Sequence, residues 1–116
     1  MNILIIEDEN PAAARLKRLL QAHLPEAEMH GNLDTVQSSI DWLNTNPEPD
    51  LIFCDIQLAD GISFEIFQEV DIKSPVIFTT AFEKYAIKAI KFSSLDYLLK
   101  PIDLDELQQA VEKART

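Results

Sequence analysis

The chain has 116 residues, 47% of them apolar, and a formal net charge of −10. That length and composition support one folded domain with its own core and exclude a disordered chain. The acidity disfavours direct binding to a nucleic-acid backbone or an anionic lipid surface, and no apolar run approaches the length of a membrane span.

The single cysteine, Cys54, lies inside an apolar run with no histidine near it in sequence. It excludes an intrachain disulfide, suits a reducing cytoplasm, and reads as a buried structural thiol rather than a nucleophile. The opening residues, MNILIIEDE, carry no basic leader and their apolar run breaks at Glu7, so no signal peptide is expected. No repeat, low-complexity tract or linker interrupts the chain.

Residues 2–6 read as a first strand. Asn10 is expected to cap a first helix with Pro11 at its first position, which proline favours. Leu16, Leu19, Leu20 and Leu24 then share one face, with Arg15, Lys17 and Arg18 outside, and Pro25 ends the helix. Residues 27–31 form a weak second strand. Asp34 or Asn32 is expected to cap a second helix, with Val36, Ile40 and Leu43 inward. After a Pro-rich turn, Leu51, Ile52, Phe53 and Cys54 make a short apolar run that stops at Asp55. Such a run reads as a strand buried on both faces.

Residues 62–70 read as a third helix anchored by Phe64 and Phe67. Val76, Ile77 and Phe78 give a fourth strand that ends in Thr79-Thr80-Ala81. A fourth helix is expected over 83–92 and a fifth strand over 95–99, closed by Lys100-Pro101. Asp103 caps a last helix with Leu104, Leu107 and Val111 inward. Five such β–α units imply an α/β fold: a five-stranded parallel sheet with helices on both faces. Its expected strand order is the flavodoxin-like 2-1-3-4-5.

That order puts the C-terminal ends of strands one, three, four and five on one edge. The edge then carries Glu7-Asp8-Glu9, Asp55, Thr79-Thr80 and Lys100. The fifth strand lies two spacings from the third, roughly 9–10 Å away, so only a long side chain such as lysine could reach across. Several adjacent carboxylates require a proton or a cation, and Mg²⁺ is the natural hard ion for them. A central carboxylate, a lysine and a threonine hydroxyl beside such an ion suit phosphoryl transfer, with Asp55 as nucleophile.

Glu7-Asp8, Asp55, Thr80-Ala81 and Lys100-Pro101, in this order on a (βα)₅ frame covering the whole chain, resemble the receiver domain of two-component response regulators. The resemblance implies that Asp55 accepts a phosphoryl group from a sensor histidine kinase. It makes Asp8 a direct Mg²⁺ ligand, Glu7 a ligand through water, and the backbone carbonyl of Gln57 a further ligand alongside Asp55. Thr80, the Ala81 backbone N–H and Lys100 would bind the phosphoryl group. Lys100-Pro101 would be cis, and Thr80 with Tyr97 would form a switch. Tyr97 also reads as a half-buried strand aromatic. Glu7 stands where aspartate is commoner, and Ser93-Ser94 where many receivers have Gly-Ala.

The stretches IIEDENPAAARLKRLL and TTAFEKYAIKAIKFSSLDYLLKPID look most like receivers of the LytR/AlgR type, whose full-length forms carry a C-terminal LytTR DNA-binding domain. DNA would be met only through that effector. The resemblance makes Ala12, Ala13 and Arg15 candidate kinase contacts, with core or plain surface as the default reading. Lys84, Lys88 and Lys91 on the fourth helix, against Asp96, Asp103, Asp105, Glu106 and Glu112, suggest a two-fold dimer on phosphorylation, or alternatively a solvated face with pairs inside one chain. On the same resemblance, Gln57 and Phe82 would flank the path of an attacking water and tune the acyl-phosphate lifetime. His23 and His30 have no second ligand at metal spacing. Two further readings stand beside this one. A Mg²⁺-dependent phosphatase of the haloacid-dehalogenase type would place Asp-x-Asp on the first strand, whereas here the nucleophile candidate is on the third and Gln57 replaces the second Asp. A non-phosphorylated pseudo-receiver acting as an interaction module would not need the intact acids, Thr80 and Lys100.

Overall fold

Leu51, Ile52, Phe53 and Cys54 are each no more than 1% exposed, as expected of a strand covered on both faces. They form the centre of the fold. The computed structural model describes residues 1–85 and 96–116. Its elements are β1 (Asn2–Ile6), α1 (Asn10–His23), β2 (Glu28–Leu33), α2 (Val36–Thr45), β3 (Leu51–Asp55), the two-residue strands β4 (Gln57–Leu58) and β5 (Gly61–Ile62), and α3 (Phe64–Glu69). After these come β6 (Val76–Thr80), a 3-10 turn (Glu83–Tyr85), β7 (Asp96–Leu99) and a last helix (Leu104–Arg115).

The large sheet is parallel and runs β2-β1-β3-β6-β7. With the β4–β5 hairpin set aside, this is the expected 2-1-3-4-5 order. Alternate residues of each strand feed two apolar layers. Ile3, Ile5, Leu51, Phe53, Ile77 and Leu98 pack against Leu16 and Leu20 of α1 and Leu107, Ala110 and Val111 of the last helix. Leu4, Ile6, Ile52, Cys54 and Phe78 face Val36 of α2 and Phe64 and Ile66 of α3. Phe78 meets Phe64 and Phe67 edge-on, at 5.0 and 5.7 Å between centroids, so both expected anchors of α3 do engage the sheet.

Several boundaries differ from those read in the sequence. Glu9, not Asn10, occupies the cap position of α1; the Asn10 side chain instead accepts a bond from Asn32 Nδ2 at 3.1 Å. Neither Asp34 nor Asn32 caps α2. Thr35 does, because its hydroxyl accepts from Ser38 N while Ser38 Oγ accepts from Thr35 N, a reciprocal box that leaves no work for its neighbours. β2 runs past Gly31 to Leu33, whose carbonyl accepts from Glu7 N at 2.8 Å. Gly31 has φ +103°, and a Cβ there would run into the Ile5 carbonyl.

α3 begins at Phe64 rather than Ile62, because Gly61 and Ile62 pair back onto Leu58 and Gln57. Asp103 does cap the last helix, accepting from Glu106 N at 3.1 Å. Leu104, expected inward, is 40% exposed. It shares the helical face of Leu107 and Val111 but sits in the first turn, where its side chain is left to solvent. Of the fourth helix expected over 83–92, the described part is the 3-10 turn; residues 86–95, including Lys88, Lys91 and Ser93-Ser94, lie outside the described residues.

Candidate functional site

β1, β3, β6 and β7 are neighbours and parallel, so their apolar runs end together at one edge of the sheet. Each run is followed by the polar group anticipated there. Glu7 follows β1, Asp55 closes β3, Thr80 closes β6 and Lys100 follows β7. Asp55, Glu7 and Thr80 are 6%, 4% and 1% exposed, which is unusual for such residue types and is explained by the partners that follow.

Lys100 crosses the β6 spacing to reach the centre. Its ammonium donates to Asp55 Oδ2 at 3.0 Å and pairs with Glu7 Oε1 at 2.6 Å; Glu9 Oε1 is 3.8 Å away. The backbone holds the lysine's root: Lys100 N donates to Thr80 O at 2.8 Å. The Lys100–Pro101 bond is cis. Asp55 Oδ1 accepts from Gln57 N at 3.2 Å, so both carboxylate oxygens have donors. Glu7 Oε2 accepts from Glu9 N at 3.1 Å.

Carboxylate oxygens of Glu7, Asp8, Glu9 and Asp55 all lie within 4.8 Å of one another. Burial, joined by the nearby Asp55 carboxylate, pushes Glu7 up to about 7, and the Lys100 hydrogen bond only partly offsets this. Burial works to lower the Lys100 ammonium, but its bonds to Glu7 and Asp55 prevail and hold it above the usual lysine value. One ammonium thus serves a set of acids that outnumbers it. The donors are hard oxygens throughout, the kind that suit a small divalent cation.

Asp8 is half-buried at the rim, and Gln57 is exposed with its side chain donating to Tyr85 Oη at 3.3 Å. Thr80 Oγ1 accepts from Phe82 N at 3.0 Å, and Ala81 is exposed directly after it. Phe82 is 47% exposed and stands edge-on to Tyr85 at 6.4 Å, with Lys84 Nζ over both rings. Tyr97 is half-buried against the layer that contains Phe78. Glu9, which the sequence left without a role beyond its place on the rim, joins the acidic cluster; its position directly after Glu7-Asp8 was the available signal.

Outside the cluster the outcomes are mixed. Ala13 is 1% exposed and cannot be a kinase contact, while Arg15 donates to Ile102 O at 2.9 Å. Asp96 pairs with Lys113 at 3.1 Å and Glu112 with Arg115 at 3.2 Å, so part of the acidic face is engaged within the chain. His23 Nε2 lies 3.0 Å from Glu112 Oε2, and His30 Nε2 lies 3.3 Å from Asn2 Oδ1. No helix of the described residues is long and apolar enough to cross a membrane.

The model of the response regulator receiver domain family matches residues 3–112. The chain is 37% identical over 116 residues to the sensory transduction protein LytT of Bacillus anthracis, covering 97% of this chain and 46% of that protein. It is 33% identical to LytT of Enterococcus faecalis, covering 98% and 48%. The chain therefore spans about half the length of the curated relatives it matches. Among solved structures, the response regulatory domain of protein mrkE from Klebsiella pneumoniae superposes with a TM-score of 0.85 at 28% identity, covering 99% of this chain and 95% of that one. With the family model spanning nearly its whole length and the acid, threonine and lysine positions gathered at one sheet edge, this chain belongs to the receiver-domain family of two-component response regulators, a regulatory rather than catalytic family.

Proposed function

We propose that the chain is a phospho-accepting switch in which Asp55 takes a phosphoryl group from a sensor histidine kinase. The observation that carries this reading is the convergence of Glu7, Asp8, Glu9 and Asp55 on one point, with the Lys100 ammonium between Glu7 and Asp55. An Asp55 carboxylate oxygen attacks phosphorus; the new O–P bond forms as the bond from phosphorus to the donor's imidazole nitrogen breaks, and that nitrogen leaves with the electron pair. Gln57 N–H and Lys100 orient the attacking carboxylate. The Lys100 ammonium, the Thr80 hydroxyl and the Ala81 N–H then receive the phosphoryl oxygens.

Asp8 and Asp55, the Gln57 carbonyl, and Glu7 through water would hold Mg²⁺, as the resemblance implies; the carboxylate cluster fits a hard divalent ion. Mg²⁺ would neutralise charge on the phosphoryl oxygens during transfer. Movement of Thr80 toward the phosphoryl group would break its bond to Phe82 N and carry the loop after β6 with it. Tyr97, half-buried on the neighbouring strand against the layer of Phe78, would follow. A phosphoryl group biases this equilibrium only through contacts stronger in one state.

The proposal extends to the whole protein: homodimerisation through the face around β7 and the last helix, a LytTR-type DNA-binding effector, and a cytoplasmic location. Support for the effector is the similarity to LytT proteins that extend well beyond the matched region. The test is labelling with acetyl phosphate and MgCl₂, read by intact mass. Wild type gains one phosphoryl group and Asp55→Asn gains none; an unlabelled wild type overturns the reading.

A further inference from the structure

The loop after Asp55 is tied to a second place in the fold. β4 and β5 form a hairpin whose tip is Ala59-Asp60. Both oxygens of the Asp60 carboxylate accept backbone bonds from the start of α2, from Val36 N at 2.6 Å and Gln37 N at 3.2 Å. Ala59 N donates to Asp34 O at 3.3 Å beside them. Three bonds from two adjacent residues thus fasten the hairpin tip to the entrance of a helix that lies 24 residues upstream.

α2 does not need this carboxylate in order to start. Thr35 already caps it, through its hydroxyl to Ser38 N at 2.9 Å and its carbonyl to Ser39 N at 3.2 Å. The Gln37 N–H, on an exposed residue, could equally meet water, while Val36 is 7% exposed and its part-buried N–H has Asp60 Oδ1 as its partner. What Asp60 adds is a fixed anchor for the hairpin, strengthened by the favourable end of the helix dipole. The backbone bond from Val36, with that from Gln37, holds the Asp60 carboxyl below its ordinary value, as expected of a carboxylate engaged rather than free.

At its other end the hairpin touches the acceptor itself. Gln57 N donates to Asp55 Oδ1, while Lys100 holds Oδ2. Tip and root are three residues apart, so a tip fixed in space fixes the Gln57 N–H and, through it, the orientation of the Asp55 carboxylate.

We propose that Asp60 is a positioning residue for phosphoryl transfer, an anchor on the α2 N-terminus that sets the geometry of the loop carrying Asp55 and Gln57. This inference rests on the receiver reading above. Asp60 touches neither phosphoryl group nor metal; it acts through the hairpin.

The test compares wild type, Asp60→Ala, Asp60→Asn, Thr35→Ala and Asp55→Asn. Each is labelled with acetyl phosphate at saturating MgCl₂ and followed by intact mass, with thermal melts and backbone amide exchange on the unlabelled proteins. Asp60→Ala is expected to label roughly 3- to 30-fold more slowly, short of the ~100-fold that a misplacement of 1 Å can cost. Asp60→Asn, which keeps one acceptor oxygen, falls between it and wild type. Thr35→Ala weakens the same helix but leaves the hairpin anchored, so its melt drops while its labelling rate stays within about twofold of wild type.

Amide exchange supplies a reading independent of phosphorylation: Gln57 N–H loses protection in Asp60→Ala and keeps it in Thr35→Ala. If Asp60→Ala melts without cooperativity, Asp60→Asn carries the comparison. Wild-type labelling rates and Gln57 protection in both Asp60 variants overturn the inference, as does an equal slowing in Thr35→Ala. Labelling of wild type and not of Asp55→Asn sustains the receiver reading whatever Asp60 does; an unlabelled wild type overturns both.

Discussion

The Lys100 ammonium stands between two carboxylates at the ends of different strands, 2.6 Å from Glu7 Oε1 and 3.0 Å from Asp55 Oδ2. Its side chain is only 17% exposed and those of Glu7 and Asp55 less, so water screens little of this contact. Lys100→Met removes the one cation that the described residues bring to the cluster and leaves the acids facing one another. The expected cost is about 2 kcal/mol, below the roughly 3–5 kcal/mol of a fully buried pair because the lysine keeps some contact with solvent. Part of the loss should return in millimolar MgCl₂. Calorimetric melts with and without MgCl₂ measure both; an unchanged melt in its absence would show that the lysine contributes nothing to balancing the acids.

Thr80 is 1% exposed and its hydroxyl accepts from Phe82 N. Thr80→Ala should cost about 1 kcal/mol for that bond. It should still allow Asp55 to be labelled, since the nucleophile and Lys100 remain. What it should lose is the response beyond the site: amide shifts at Phe82 and Tyr97 on beryllofluoride addition, present in wild type, should be largely gone. Equal shifts in both proteins would remove Thr80 from the switch.

Leu104 and Leu107 separate pattern from environment. Leu107 is fully buried and Leu104 is 40% exposed, although both fall on the face read as inward. Leu107→Ala should cost about 3–4 kcal/mol in urea denaturation, and Leu104→Ala no more than about 0.5 kcal/mol. Similar losses would mean that Leu104 is covered in solution, for instance by a second copy of the chain.

Glu48 gives a pH dependence remote from the site. Its carboxylate accepts from Lys73 N and from Ser74 N, bonds that hold it below its ordinary 4.5. A lowered carboxyl stabilises the fold above 4.5, and that stabilisation fades as pH falls through the still lower folded value. Glu48→Gln should therefore melt below wild type at pH 7, and the gap should narrow as pH drops beneath 4.5. A gap independent of pH would show that the carboxylate charge is not what matters.

Much of this was legible because the relevant signals are local. The apolar runs that end at Glu7, Asp55, Thr80 and Lys100 give strands, their alternation with helices gives a parallel sheet, and the parallel sheet gives one common edge for all four groups. The Asp103 cap and the aromatic anchors of α3 were readable for the same reason. The errors fell where a remote partner decided. Asn10 and Asn32 are good caps in isolation but bond to each other, Ile62 is drawn from a helix into a hairpin, and Leu104 keeps the right period while remaining exposed.

By itself the sequence determined the order of the elements, the residues at their ends and hence the chemistry available at the sheet edge. Backbone propensity and hydrophobic period act over a few residues, and those are written in the chain. Tertiary structure alone decided which oxygen Lys100 meets, that Glu9 Oε1 comes within 3.8 Å of that lysine, and that Asp60 reaches back to α2. Such contacts depend on side-chain reach across strands and loops, where an ångström of placement separates a hydrogen bond from none.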